Sequence, residues 1–85
     1  MKEKIVLRSK AKKLNPVLRI GKSGLSESMI GEINKNLIKR KLIKIKLLKS
    51  SFAKKEREEL INSVVLQTNS ELIDSVGNVF VIYRK

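Results

Sequence analysis

Apolar and polar residues follow one another with two periods along this chain, and the switches between them mark its elements. Over residues 3–14, Leu7, Ala11 and Leu14 recur at helical spacing and predict an apolar stripe on one amphipathic helix. Lys4, Arg8 and Lys12 form an adjacent ridge at the same spacing, with Lys10 and Lys13 on the other flank. Asn15-Pro16 ends that helix, because the residue before a proline is pushed out of the helical region. Val17 to Ile20 reads as a short strand, and Gly21-Lys22-Ser23-Gly24 as a loop. Ser26 is the predicted N-cap of a second helix, with Glu27 placed to favour its dipole. That helix should run to about Arg40 with Met29, Ile30, Ile33 and Leu37 facing inward. Gly31 in its interior costs about 1 kcal/mol relative to alanine, and close packing is the expected reason for it.

From Lys41 to Lys49 the period changes to two. Ile43, Ile45 and Leu47 take one face of a strand, and Lys44 and Lys46 the other. Ser50 or Ser51 is positioned to cap a third helix from about Ala53 to Thr68, with Leu60, Ile61 and Val64 on its buried side. "ELIDSV" and "VFVIYR" then flank Gly77-Asn78, a two-residue loop that suits a hairpin. The predicted order is α-β-α-β-α-β-β. Strands separated by helices imply a parallel pair, and the hairpin adds an antiparallel one. The expected fold is a single compact α/β domain over residues 1–85, a four-stranded mixed sheet with helices packed on it.

Composition narrows the chemistry. Eighty-five residues suit one domain with one modest core and little room for a deep substrate cavity. No apolar run approaches the length of a membrane span, and the charged N-terminus does not read as a signal peptide. A cytoplasmic location is expected. Without cysteine or histidine, disulfides, thiolate chemistry and the usual zinc sites are excluded. The commonest general acid–base residue is absent too. Glu56, Glu58 and Glu59 alternate with Lys54, Lys55 and Arg57 in a self-neutralising run that reads as a solvated helix face. The net charge is +12, and residues 1–49 account for all of it, with 15 Lys or Arg against 3 Glu. Residues 50–85 balance at 5 of each sign. A surface that meets polyanions shows that asymmetry.

The glycine loop has several readings. "GKS" resembles the tail of a nucleotide-binding P-loop, but the first glycine of that motif would fall at Pro16. Glycines at 21 and 24 would let backbone approach a ligand and adopt positive φ, and the helix that follows presents unpaired N–H groups. Lys22 and Ser23 add a cation and a hydroxyl. A G-x-x-G loop gripping a nucleic-acid backbone is the device of KH domains, although there it joins two helices. The plain alternative is that two glycines permit a tight turn. Phe52, Phe80 and Tyr83 are the only aromatics, so base stacking should not dominate, and phosphate, sugar and RNA shape should.

"LRSKAKKLNPVLRIGKSGLSESMIGEINKNL", "KLIKIKLL" and "SVGNVFVIYR" together resemble the CRM domain, the chloroplast RNA splicing and ribosome maturation family. The stand-alone prokaryotic members are YhbY-like RNA-binding proteins. The resemblance rests on Leu7-Arg8-Ser9, Leu14, Pro16, Ile20-Gly21-Lys22, Gly24-Leu25, Leu42-Ile43-Lys44, Gly77 and Tyr83-Arg84, and spans residues 7–84. Lys12 stands where the family's pattern usually has a histidine, which keeps a phosphate contact and loses an imidazole. The resemblance implies a fold similar to the C-terminal domain of bacterial initiation factor 3. It also implies association with precursors of the large ribosomal subunit.

The expected function is therefore a non-enzymatic protein that binds ribosomal RNA and assists ribosome assembly. The expected RNA-binding residues are Gly21, Lys22, Ser23 and Gly24 of the loop with Arg8, Lys12, Arg19, Lys44 and Lys46. Lys39-Arg40-Lys41 either continues this basic track or forms a solvated face. No cofactor, metal, membrane or small-molecule substrate is expected, and the protein should be a monomer. Other structured RNA, such as an intron or tRNA, duplex DNA, and a ribosome-associated protein partner stay open as alternatives.

Overall fold

The computed structural model describes residues 2–21, 25–48 and 53–85. The elements run helix α1 (Lys2–Ala11), strand β1 (Leu18–Ile20), helix α2 (Glu27–Arg40), strand β2 (Leu42–Leu47), helix α3 (Lys54–Thr68), strand β3 (Glu71–Val76) and strand β4 (Val79–Tyr83). This is the order expected from the periodicity. Among the described residues the strands form one mixed sheet in the order β1-β2-β4-β3. β1 pairs with β2 in parallel, and β4 pairs antiparallel with both β2 and β3.

Alternation along the strands builds two cores, one on each face. Ile20, Ile43, Ile45, Leu47, Phe80 and Ile82 face α2 and α3, where Ile33, Leu37, Ile61 and Val64 meet them. On the opposite face α1 lays Leu7 and Ala11 on Ile73 and Val81, flanked by Leu42 and Tyr83. The larger core has helices long enough to cover the sheet. The smaller one has only α1, so part of that face stays open.

The ends of the elements are set locally. The Ser26 side chain accepts the Met29 N–H at 3.1 Å, the predicted N-cap of α2. Lys41 turns α2 directly into β2 at φ 64°, and its N–H closes the helix on the Leu37 carbonyl. Asn69 ends α3 in the left-handed region at φ 51°. Gly77 opens the hairpin turn at φ +59°, where a side chain would be strained. Arg84 ties three elements together. Its Nη1 donates to Asn34 Oδ1 at 2.8 Å on α2 and to the Thr68 carbonyl at 2.7 Å at the end of α3.

The structure differs from the sequence expectations at several positions. α1 ends at Ala11 rather than at 14, and tighter turns carry the chain on, Lys13 and Leu14 donating to the carbonyls of Lys10 and Ala11. Leu14 is half-buried there. The N-cap of α3 is Ala53, not a serine; Ser50 and Ser51 lie outside the described residues. Glu56 reaches back instead, its Oε1 accepting the Ala53 N–H at 3.3 Å, so that carboxylate has a capping role that the solvated-face reading missed. Gly31 is not there for packing, because a methyl group at that position would meet open space. Gly21 does not adopt positive φ. Its constraint is steric, since an added Cβ would stand 3.1 Å from Leu48 Cδ1.

Candidate nucleic-acid interface

The α1 side of the sheet is where the basic residues converge. In β2, burying Ile43, Ile45 and Leu47 against α2 and α3 forces Lys44 and Lys46 onto the other face. The parallel register sets Arg19 of β1 beside Lys46, and the antiparallel one sets Val79 beside Lys46 and Val76 beside Val79. This row, Arg19–Lys46–Val79–Val76, lies beyond the end of α1's apolar contacts. Arg19 and Lys46 are exposed. Like charges side by side on neighbouring strands destabilise a sheet, so folding alone does not account for the pair.

The next row, Lys44–Val81–Asp74, runs under α1. A groove of about 320 Å³ opens there, lined by Arg8, Ala11 and Lys12 of α1, Lys44, and Asp74, Val76, Val79 and Val81 from the hairpin. Three of the sequence-predicted residues, Arg8, Lys12 and Lys44, thus share one groove. Arg8 is structural as well, since its Nε donates to the Ile73 carbonyl at 3.1 Å and fastens α1 to β3.

Gly21 directly follows Ile20, so the chain leaves the sheet next to Arg19, which pairs with Lys46. Lys22, Ser23 and Gly24, the rest of the predicted loop, lie outside the described residues.

A second basic cleft flanks α1 on its other side. About 780 Å³ in volume, it is lined by the cations Lys10, Lys13, Arg40, Lys41 and Lys44 over a floor that includes Leu7, Leu42 and Tyr83. Lys44 belongs to both depressions. The second cleft is only half legible in the sequence. Lys10 and Lys13 share a helix flank, but nothing in their spacing brings them to the C-terminal end of α2. The one-residue turn at Lys41 does so, by delivering Arg40 and Lys41 to the start of β2.

Among the described residues no group of three or more His, Cys, Asp or Glu side chains could hold a metal ion, and no helix is long and apolar enough to cross a membrane. Phe80 is fully buried and Tyr83 half-buried, as core and edge residues; Phe52 lies outside the described residues.

Comparison with known proteins places these features in context. The model of the CRS1 / YhbY (CRM) domain matches residues 1–84. The Bacillus subtilis protein named "Probable RNA-binding protein YqeI" is 33% identical over 84 residues, 99% of this chain and 85% of its own length. A Haemophilus influenzae protein named "RNA-binding protein" is 32% identical over 98% of this chain and 82% of its own length. The solution structure of SAV1595 from Staphylococcus aureus matches with a TM-score of 0.82 at 39% identity, covering 99% of this chain and 85% of that one.

Proposed function

The chain belongs to the CRS1 / YhbY (CRM) domain family, and on that premise we propose that it is a non-catalytic RNA-binding protein that acts on ribosomal RNA of large-subunit precursors. The observation that carries the RNA-binding reading is the gathering of Arg8, Lys12, Arg19, Lys44 and Lys46 on the face that α1 covers only in part. The names of the relatives support RNA as the polyanion. The family resemblance supports the ribosomal target and the assembly role.

The mechanism is electrostatic and geometric. Cations at strand spacing meet successive phosphates, and each contact releases condensed counterions. A rigid sheet holds them in register, so little side-chain ordering beyond the lysine stems is needed. Gly21 follows Arg19 and Ile20 in the chain, and the sequence that comes next, Lys22-Ser23-Gly24, adds a cation and a hydroxyl for the RNA backbone. Lys10, Lys13, Arg40 and Lys41 extend the footprint past α1. The protein acts as a monomer and needs no cofactor.

The test is binding to a structured fragment of large-subunit ribosomal RNA, with length-matched duplex DNA as competitor, over a salt series. Preference for the RNA that survives the competitor is the expected result. Equal affinity for both, vanishing together as salt rises, would reduce the face to a generic polyanion surface. Gly24→Asp, which introduces an anion into the loop, should weaken RNA binding while circular dichroism stays unchanged. Unaltered affinity in that variant would remove the loop from the interface.

A further inference from the structure

One residue in the groove beside α1 is out of keeping with a phosphate-binding face. Asp74 is a carboxylate among Arg8, Lys12 and Lys44. Its position is the product of an irregularity. The register of β3 against β4 shifts between Leu72 and Asp74, so that Ile73 has no partner of its own. With regular alternation Asp74 would follow Leu72 onto the face covered by α2 and α3. Ile73 lies under α1, as alternation from Leu72 requires, and the bulge keeps Asp74 on that same side, in the groove. The carboxylate is also oriented, because Oδ1 accepts the N–H of Ser75 at 3.0 Å. A carboxylate has about four acceptor sites, so the Ser75 bond leaves Asp74, which lines the groove, with capacity for a ligand.

The rest of the groove is apolar. Val79 and Val81 form the floor, Ala11 the wall and Val76 the lip, and Val76 is 69% exposed. Lys44 stands on β2 and Asp74 on β3, with β4 between them, a backbone separation of about 10 Å. A nucleotide spans that distance from its phosphate to the far edge of its base.

We propose that this groove receives one unpaired guanine nucleotide of the bound RNA. The phosphate lies on Lys44 and Lys12, the base lies against the valine methyls, and the Asp74 carboxylate accepts the N1–H and the N2 amino group of guanine. Guanine presents two adjacent donors on that edge, matching two carboxylate oxygens. Uracil offers one N–H between two carbonyls that the carboxylate repels, and adenine and cytosine offer one amino group beside an acceptor. The groove's volume of about 320 Å³ suits one nucleoside and not a duplex. The inference rests on the RNA-binding reading and adds to it a base preference that a purely phosphate-reading surface lacks.

Fluorescence anisotropy with four hairpin RNAs tests it. The stems are identical, and the loops are all adenine except at one position, which is adenosine, guanosine, inosine or uridine. Inosine lacks only the N2 amino group. The wild-type protein should bind the guanosine loop about tenfold more tightly than the adenosine or uridine loop, with inosine between. Asp74→Asn keeps an acceptor for Ser75 N–H, so the bulge survives. It should abolish the guanosine preference while binding the all-adenine loop at least as well as the wild type does. Equal affinity of the wild type for all four loops overturns the guanine site and leaves RNA binding standing. So does a guanosine preference that persists in Asp74→Asn. Failure of the folded wild type to bind any of the hairpins overturns the RNA-binding reading, and the guanine site with it.

Discussion

At the scale of single residues, three positions expose what the fold leaves unoptimised. Gly31 lies inside α2 at an exposed site with open space around it. Gly31→Ala should therefore stabilise the domain by about 1 kcal/mol, from helix propensity alone. For a domain of this size that raises the thermal midpoint by roughly 4–8 °C, readable by differential scanning calorimetry. Ala53 caps α3 without a side-chain acceptor, while Glu56 supplies only the returning half of the capping box. Ala53→Ser completes the box and should add about 1 kcal/mol in urea unfolding. Lys46 sits beside Arg19 on the neighbouring strand. Lys46→Thr should leave stability unchanged or raise it by a few tenths of a kcal/mol, because it relieves like-charge repulsion and suits a strand. The same variant should bind structured RNA more weakly. A position where function and stability pull in opposite directions is the signature of a binding residue.

At the scale of elements, the molecule depends on a few side chains that join parts remote in sequence. Arg84 links the end of β4 to Asn34 of α2 and to the Thr68 carbonyl, one of the helix-end acceptors that α3 cannot satisfy internally. Arg84→Ala should cost about 1.5–3 kcal/mol, the range for hydrogen bonds to a charged group, measured by urea unfolding with the slope unchanged. Arg57 plays a smaller part of the same kind, its Nη1 donating to Asn78 Oδ1 at 3.1 Å in the hairpin turn. α1 is held more thinly. Leu7, Ala11 and the Arg8 bond to Ile73 are its main anchors. Its amides should exchange with solvent well before those of β2 and β4 in native-state hydrogen exchange, which places a basic helix that can adjust over a sheet that cannot.

At the scale of the whole molecule, charge and topology meet on one side. The excess of positive residues lies in the first 49 positions, and the sheet order brings β1 and β2, both from that stretch, next to each other. The parallel pair leaves Arg19, Lys44 and Lys46 on the face opposite the larger core. The slope of log affinity against log salt should become shallower by about 1 for each phosphate-contacting cation removed. Removing exposed Lys54 and Lys55 of α3 together should change it less than removing Arg19 and Lys46, although each double variant subtracts the same charge. Equal slopes in the two double variants would mean that net charge, not this face, governs binding.

By itself, the sequence determined the element order, the two-period alternation and the core-facing residues of α1, α2, β2 and α3. Those depend on local periodicity and on the side chain at each position, which a linear reading holds in full. Lys44 and Lys46 were legible as a pair for the same reason, since alternation in β2 leaves them no other face. The Ser26 cap and the Gly77-Asn78 turn were legible because their chemistry is local. The tertiary structure alone decided what depends on neighbours far along the chain. It decided that α1 covers only part of its sheet face, that Arg40 and Lys41 join Lys10 and Lys13 in one cleft, and that Arg84 is a structural tie. It also decided that Gly31 faces open space and that Asp74 enters the basic groove. The last of these turns on a single unpaired residue in β3. A bulge shifts register by pairing across strands, and pairing is not written in the spacing of either strand alone.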